Sequence, residues 1–199
     1  MHIAITGTIG SGKSTVSALL RELGYPVFDA DVWAKSHYTD PDVQHALIER
    51  FGESIYRDGN LDTVALASII FRPDGDADRR FVEHLIHPRV YADLMHLANE
   101  SSSDIVFSEV PLLFETGGEG HFDRVLLVTC DQSVATQRLI TQRHMSPQRI
   151  ALRRIHQMDE AKKRAKADDI LENNGDLTTL MRHVAAYSDK IKAIHAQNP

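Results

Sequence analysis

The chain has 199 residues, 42% of them apolar and 25% charged, with a net charge of −6 and one cysteine, Cys130. This composition supports one folded domain with a buried core and excludes a disordered chain. The acidic balance argues against binding a nucleic-acid backbone, and the single cysteine excludes an internal disulfide or a Cys-rich zinc site.

The N-terminus opens on a short apolar strand, about His2–Thr6, followed by a helix from about Gly12 to Leu23. Val16, Leu19, Leu20 and Leu23 recur at i, i+3, i+4, i+7 and define one helical face, which Gly24 stops. A second strand, Pro26–Asp29, leads into a mainly helical region from Asp31 to Ser101. That region is punctuated by Asp40-Pro41, Asp58-Gly59, Pro73-Asp74-Gly75 and His87-Pro88. Ile105–Val110 and Val125–Cys130 are apolar enough to be buried strands, and the run into Cys130 predicts a buried thiol. A helix-rich, arginine-dense stretch from Ser133 to Lys166 follows. A last strand at Asp169–Glu172, the turn Asn173-Asn174-Gly175 and a closing helix carrying Leu177, Leu180, Met181, Val184, Ile191 and Ile194 complete the chain. Alternating strands and helices predict an α/β fold, a doubly wound five-stranded parallel sheet covered on both faces, with ligands at the carboxyl ends of its strands.

Between the first strand and first helix, Gly7-Thr8-Ile9-Gly10-Ser11-Gly12-Lys13-Ser14 matches G-x-x-x-x-G-K-[ST] in full. Glycines at these places let the loop curl so that backbone N–H groups face a phosphate, and the helix adds its positive end. Lys13 is placed to reach the β- and γ-phosphates of ATP, Ser14 to ligate Mg²⁺, and Thr15 to touch the α-phosphate. A Gly/Ser-rich turn without function is the plain alternative, but the strand and helix on either side are the context the motif requires.

P-loops also serve GTPases and motor ATPases. No Asn-Lys-x-Asp segment for reading guanine is present, and the chain is short for a motor. A small kinase needs an acceptor-side carboxylate, arginines for the moving phosphoryl group and a segment that closes over them. Asp29-Ala30-Asp31 ends the second strand, is expected on the strand neighbouring the P-loop, and offers the carboxylate, although Asp is also a favoured helix cap. Arg138, Arg143, Arg149, Arg153 and Arg154 supply candidate phosphate clamps, and Asn174-Gly175 is expected near the adenine.

The motifs together resemble the dephospho-CoA kinase family, nearly end to end. They comprise Thr6 through Thr15, Leu23-Gly24, Asp29-Ala30-Asp31, Phe51-Gly52, Asp58-Gly59-Asn60-Leu61-Asp62, His87-Pro88, Pro111-Leu112-Leu113-Phe114-Glu115, Gln137-Arg138 spaced to Arg143, Gln157, and Asp168-Asp169 with Asn173-Asn174-Gly175. The resemblance implies a single P-loop kinase domain over 1–199, with a helical CoA-binding region at about 32–100 and a lid at about 133–166. It implies ATP-dependent phosphorylation of the ribose 3′-hydroxyl of dephospho-CoA, with Asp31 as base and Lys13 and Arg143 flanking the moving phosphoryl group. Gly10, Ser11, Gly12, Lys13, Ser14, Thr15, Arg138 and Asn174 are then expected at ATP, with Ser14 also on Mg²⁺. Asp31, His87, Pro111, Leu112, Leu113 and Glu115 are expected at the acceptor. Glu109 departs from the family pattern, and its role, at Mg²⁺ through water or in packing, stays open. Another small-molecule P-loop kinase and a non-catalytic ATP-binding regulator are the alternatives. No apolar run approaches the roughly 20 residues of a membrane span, and no signal-peptide pattern opens the chain, so the cytoplasm is the expected compartment.

Overall fold

The computed structural model describes residues 1–57, 59–72 and 74–197; Asp58 and Pro73, which the sequence pattern sets in turns, lie outside them. In chain order the elements are β1 (His2–Gly7), α1 (Lys13–Glu22), β2 (Val27–Asp29), α2 (Ala30–His37), α3 (Pro41–Phe51), β3 (Tyr56–Arg57), β4 (Asn60–Leu61), α4 (Thr63–Ile70), α5 (Asp76–Glu100), β5 (Val106–Glu109), β6 (Arg124–Thr129), α6 (Gln132–Arg143), α7 (Pro147–Ile155), α8 (Glu160–Lys166), β7 (Asp169–Glu172) and α9 (Leu177–Gln197). Contacts divide the chain into two compact units, Met1–Asp29 with Leu97–Pro199, and Ala30–His96.

The first unit holds a five-stranded parallel sheet in the order β2-β5-β1-β6-β7. All six residues of β1 are buried, as expected of a central strand covered on both faces. Ile3, Ile5, Phe107, Leu126 and Val128 of the sheet pack with Val16 and Leu20 of α1 and with Leu180, Val184, Tyr187 and Ile191 of α9. Of the apolar residues that the sequence sets on the closing helix, Leu177 and Met181 are exposed. The buried stripe runs 180, 184, 187, 191, and these two fall beside it. α1 ends as predicted, with Gly24 at φ 90° and the Tyr25 N–H returning to the Leu20 carbonyl.

Strand order corrects one expectation. The sequence put the Asp29-Ala30-Asp31 carboxylates on the strand neighbouring the P-loop. β5 intervenes, pairing with β1 through Ile5↔Glu109 and with β2 through Asp29↔Glu109. The carboxylate on the strand next to β1 is Glu109. The cause is non-local: β5 enters the sheet about 75 residues after β2, and no short-range pattern announces where it pairs.

The second unit contains α2, α3, α4, most of α5 and a β3–β4 ribbon that the helical expectation did not include. Asp62 caps α4, its carboxylate accepting from the N–H groups of Val64 and Ala65 at 3.1 and 3.0 Å. These two bonds, with Arg57 nearby, hold the Asp62 carboxyl below its ordinary range. His87-Pro88 does not break the chain. α5 runs from Asp76 to Glu100 through Pro88, because Val82, Ile86, Val90 and Leu94 keep one buried face at every turn. Asp78 ties the unit together by accepting from Arg50 at 2.8 Å and from Arg72 at 2.9 Å.

At the amino end of β1, away from the P-loop, His2 is buried, its Nε2 2.8 Å from Ser108 Oγ and its Nδ1 without a partner among the described residues. Burial drives its pKa down to about 4, with the terminal ammonium adding to the shift and Asp123 opposing it. Between the ordinary value and about 4, the unfolded chain therefore binds a proton that the folded chain does not. The contribution is complete above about pH 6.5 and drains as pH falls toward 4, by up to about 3 kcal/mol. Thermal unfolding at pH 7 and pH 5 is expected to show a larger drop for this chain than for His2→Gln. Equal drops would remove His2 from the account.

Candidate active site

The site begins where β1 ends. At Gly7 a Cβ would stand 2.2 Å from the Val128 carbonyl oxygen, so only glycine lets the chain turn out of the sheet there. Gly12 caps α1 in the left-handed region at φ 95°, and a Cβ on it would meet Asn173 Nδ2 at 2.3 Å. Lys13 folds over the loop, donating to the carbonyls of Gly7 at 3.0 Å and Thr8 at 3.2 Å. Its ammonium is thereby held at the mouth of a loop that carries the positive end of α1.

Three side chains from other elements brace this loop. Asn173, just past β7, donates from Nδ2 to the Ser11 carbonyl at 2.8 Å. Gln157, between α7 and α8, accepts the Ile9 N–H at 3.0 Å. Glu109, at the end of β5, accepts from Ser14 Oγ at 3.1 Å and from the fully buried Ser17 Oγ at 2.8 Å. The sequence left Glu109 open and overlooked Ser17. The signal for Ser17 was its place one turn after Ser14, on the face of α1 that looks at β5.

Arg138 lies on the other flank. It donates to the Asn173 carbonyl at 2.9 Å and to the Gly175 carbonyl at 3.2 Å, so α6 is fastened to the turn after β7. Asn174 in that turn accepts the Asp131 N–H at 2.7 Å. The structure thus brings Gly10, Ser11, Gly12, Lys13, Ser14, Thr15, Arg138 and the Asn173–Gly175 turn into one region. Cys130 also sits there, buried, with its thiol 3.7 Å from the Gly10 carbonyl and its pKa pushed up mainly by burial.

Arg143 ends α6 and is exposed, followed by His144 at φ 49°. Arg149 and Arg153 are exposed on α7, whereas Arg154 turns back to Thr136 Oγ1 at 2.9 Å. In the segment after β5, the Pro111 carbonyl accepts from Thr6 Oγ1 at 3.4 Å and Leu112 is half-buried. Leu113 and Phe114 are buried in the packing. Glu115, 11% exposed, has Oε1 at 2.6 Å from the ammonium of Lys163, itself 0% exposed, and accepts the Met158 N–H at 2.8 Å. That ion pair fastens the segment to α8, and nothing in the sequence marked Lys163 for it.

In the second unit, Asp31 lies in the first turn of α2. Burial, and then the Asp31 carboxylate, raise the pKa of the Tyr38 hydroxyl. His87 is half-buried on α5, edge-on to Tyr91 with ring centroids 6.4 Å apart, its pKa lowered first by burial and then by His84.

Among the described residues no cluster of three or more His, Cys, Asp or Glu side chains could hold a metal unaided. A hydroxyl and one carboxylate, Ser14 and Glu109, do suit Mg²⁺, which binds few protein oxygens and keeps water and phosphate as its other ligands. Among the same residues no helix is long and apolar enough to cross a membrane.

Known proteins resemble this chain over most of its length. The family model described as dephospho-CoA kinase matches residues 1–179. A dephospho-CoA kinase of Thermus thermophilus is 39% identical over 185 residues, covering 92% of this chain and 88% of the relative. The crystal structure of TT1252 from Thermus thermophilus superposes with a TM-score of 0.80 at 37% identity, covering 100% of this chain and 98% of the other. The dephospho-CoA kinase of Campylobacter jejuni, 21% identical, shares the fold with a TM-score of 0.71 over 96% of each chain.

Proposed function

We infer that this chain, which belongs to the dephospho-CoA kinase family, phosphorylates the ribose 3′-hydroxyl of dephospho-CoA with ATP, giving coenzyme A and ADP, the last step of CoA biosynthesis. The observation that carries this reading is a complete P-loop at the tip of the central strand of a chain matched by the family model from residue 1 to 179.

Phosphoryl transfer asks little covalent chemistry of the protein and much positioning and charge. The amides from Gly10 to Thr15 cradle the phosphates, and Lys13 leaves the Gly7 and Thr8 carbonyls for the β- and γ-phosphate oxygens. Arg138 and Asn174 border the adenine. Ser14, backed by Glu109, would hold Mg²⁺, which supplies positive charge against the phosphate oxygens when bound. Asp31 follows Asp29 by two residues, which keeps its Cα within about 7 Å of the Asp29 Cα at the end of β2. Asp31 accepts the proton of the attacking hydroxyl. The 3′ oxygen bonds to the γ-phosphorus as the bond from phosphorus to the β,γ-bridging oxygen breaks, and ADP leaves with that electron pair. Arg143, with Arg149 and Arg153, faces the equatorial oxygens of the moving phosphoryl group from the lid region at about 133–166. His87, Pro111 and Leu112 border the acceptor. Leu113 and Glu115 serve it indirectly, by setting the course of their segment.

The test is ADP release from ATP in the presence of dephospho-CoA, nucleoside monophosphates, shikimate or gluconate. Dephospho-CoA is expected to give the highest kcat/KM by at least about 10², because a site built to bond one acceptor leaves buried polar groups unpaired with another. Preference for any other acceptor would overturn the assignment.

A further inference from the structure

Ile9 of the P-loop is held in two independent ways. Its side chain packs with Leu139 of α6, Met145 and Ile150 of α7 in a small buried cluster separate from the sheet core. Its N–H is taken by the side-chain carbonyl of Gln157. The next residue, Met158, gives its own N–H to Glu115, the buried partner of Lys163. Two consecutive residues at the end of the arginine-bearing stretch are therefore pinned, one to the P-loop and the other to the segment after β5. The arginines the reaction calls on, Arg143, Arg149 and Arg153, all lie between the α6 end of this joint and Gln157.

We propose that Gln157 is a positioning residue for phosphoryl transfer, fixing the exposed arginines of the 143–153 stretch relative to the P-loop through the Ile9 N–H. The inference rests on the kinase reading. An amide already bonded to Gln157 is not one of those offered to phosphate, so Gln157 acts through the loop and not on the nucleotide. ADP binding draws on the amides from Gly10 to Thr15 and leaves the arginines idle. Transfer of the γ-phosphoryl group requires both halves in register, and misplacement by about 1 Å costs up to about 10² in rate.

The test compares the parent chain with Gln157→Leu, which keeps bulk but has no acceptor, and with Gln157→Asn, whose carbonyl is retracted by one methylene. Three quantities are read: hydrogen exchange at the Ile9 amide in the ligand-free protein, Kd for ADP, and kcat with dephospho-CoA. In Gln157→Leu the Ile9 amide is expected to lose protection and kcat to fall about tenfold or more, with Kd for ADP within about threefold. Gln157→Asn is expected to do the same, so it serves if the leucine variant does not fold. Unchanged Ile9 exchange, unchanged kcat, or a loss of ADP affinity equal to the loss of kcat would overturn the proposal. The exchange and ADP measurements do not involve the acceptor. Failure of the parent chain to phosphorylate dephospho-CoA would therefore count against the function, and unchanged Ile9 exchange against the joint.

Discussion

Asp31→Asn is expected to lower kcat with dephospho-CoA by about 10²–10⁴ while leaving Kd for ATP within about threefold of the parent value. Asparagine has nearly the size of aspartate and keeps one oxygen for the hydroxyl's hydrogen bond. What it loses is the ability to take the proton and the negative charge that orients the attacking group. The charge is felt in the structure: it adds to burial in raising the pKa of Tyr38. Because the transition state of phosphoryl transfer is loose, the proton moves late, and an effect at the lower end of the range still fits a base. Asp29→Asn serves as the control. That carboxylate ends β2 opposite Glu109, and its loss is expected to cost kcat far less than loss of Asp31 does. Wild-type kcat in Asp31→Asn would end the assignment of the base.

The second large effect is on stability. Glu115→Ala removes the counter-charge of a lysine with no exposed surface and frees the Met158 N–H that the same oxygen accepts. An ammonium stranded in that position is expected to cost about 3–5 kcal/mol. At about 2–4 °C per kcal/mol for a chain of this size, thermal unfolding should shift down by roughly 10 °C. The pair itself contributes much less than that, since both charges gave up water to meet. Glu115→Leu combined with Lys163→Met is therefore expected to recover most of the loss, leaving the part due to the Met158 N–H. A drop in the double variant as large as in Glu115→Ala would show that the cost lies in the carboxylate's bond to Met158 alone.

What was legible in the sequence follows the range of the forces involved. The P-loop is local, its strand, glycines and helix contiguous, and the structure places Gly7 to Ser14 as the pattern requires. The five strands were readable, most plainly β6, whose apolar run is continuous as in a buried parallel sheet. Their order was not, because β5 slots between β2 and β1 by long-range pairing, and Glu109 takes the neighbouring place meant for the Asp29-Ala30-Asp31 group. The β3–β4 ribbon has two residues per strand, too few for any periodicity. Gln157, Asn173 and Arg138 could be picked out by family resemblance. What they do, bonding to Ile9, Ser11 and the turn after β7, depends on contacts across 35 to 162 positions of sequence. Lys163 stands in a charged helix with no local mark of burial, and only the fold buries it.

Following the phosphate itself probes the central claim most directly. With γ-labelled ATP, Mg²⁺ and dephospho-CoA, the label is expected on the ribose 3′-oxygen of the product, in equal amount to the ADP formed. Label in inorganic phosphate alone, or on the 2′-oxygen, would contradict a site in which a P-loop delivers the γ-phosphoryl group to a 3′-hydroxyl held by Asp31.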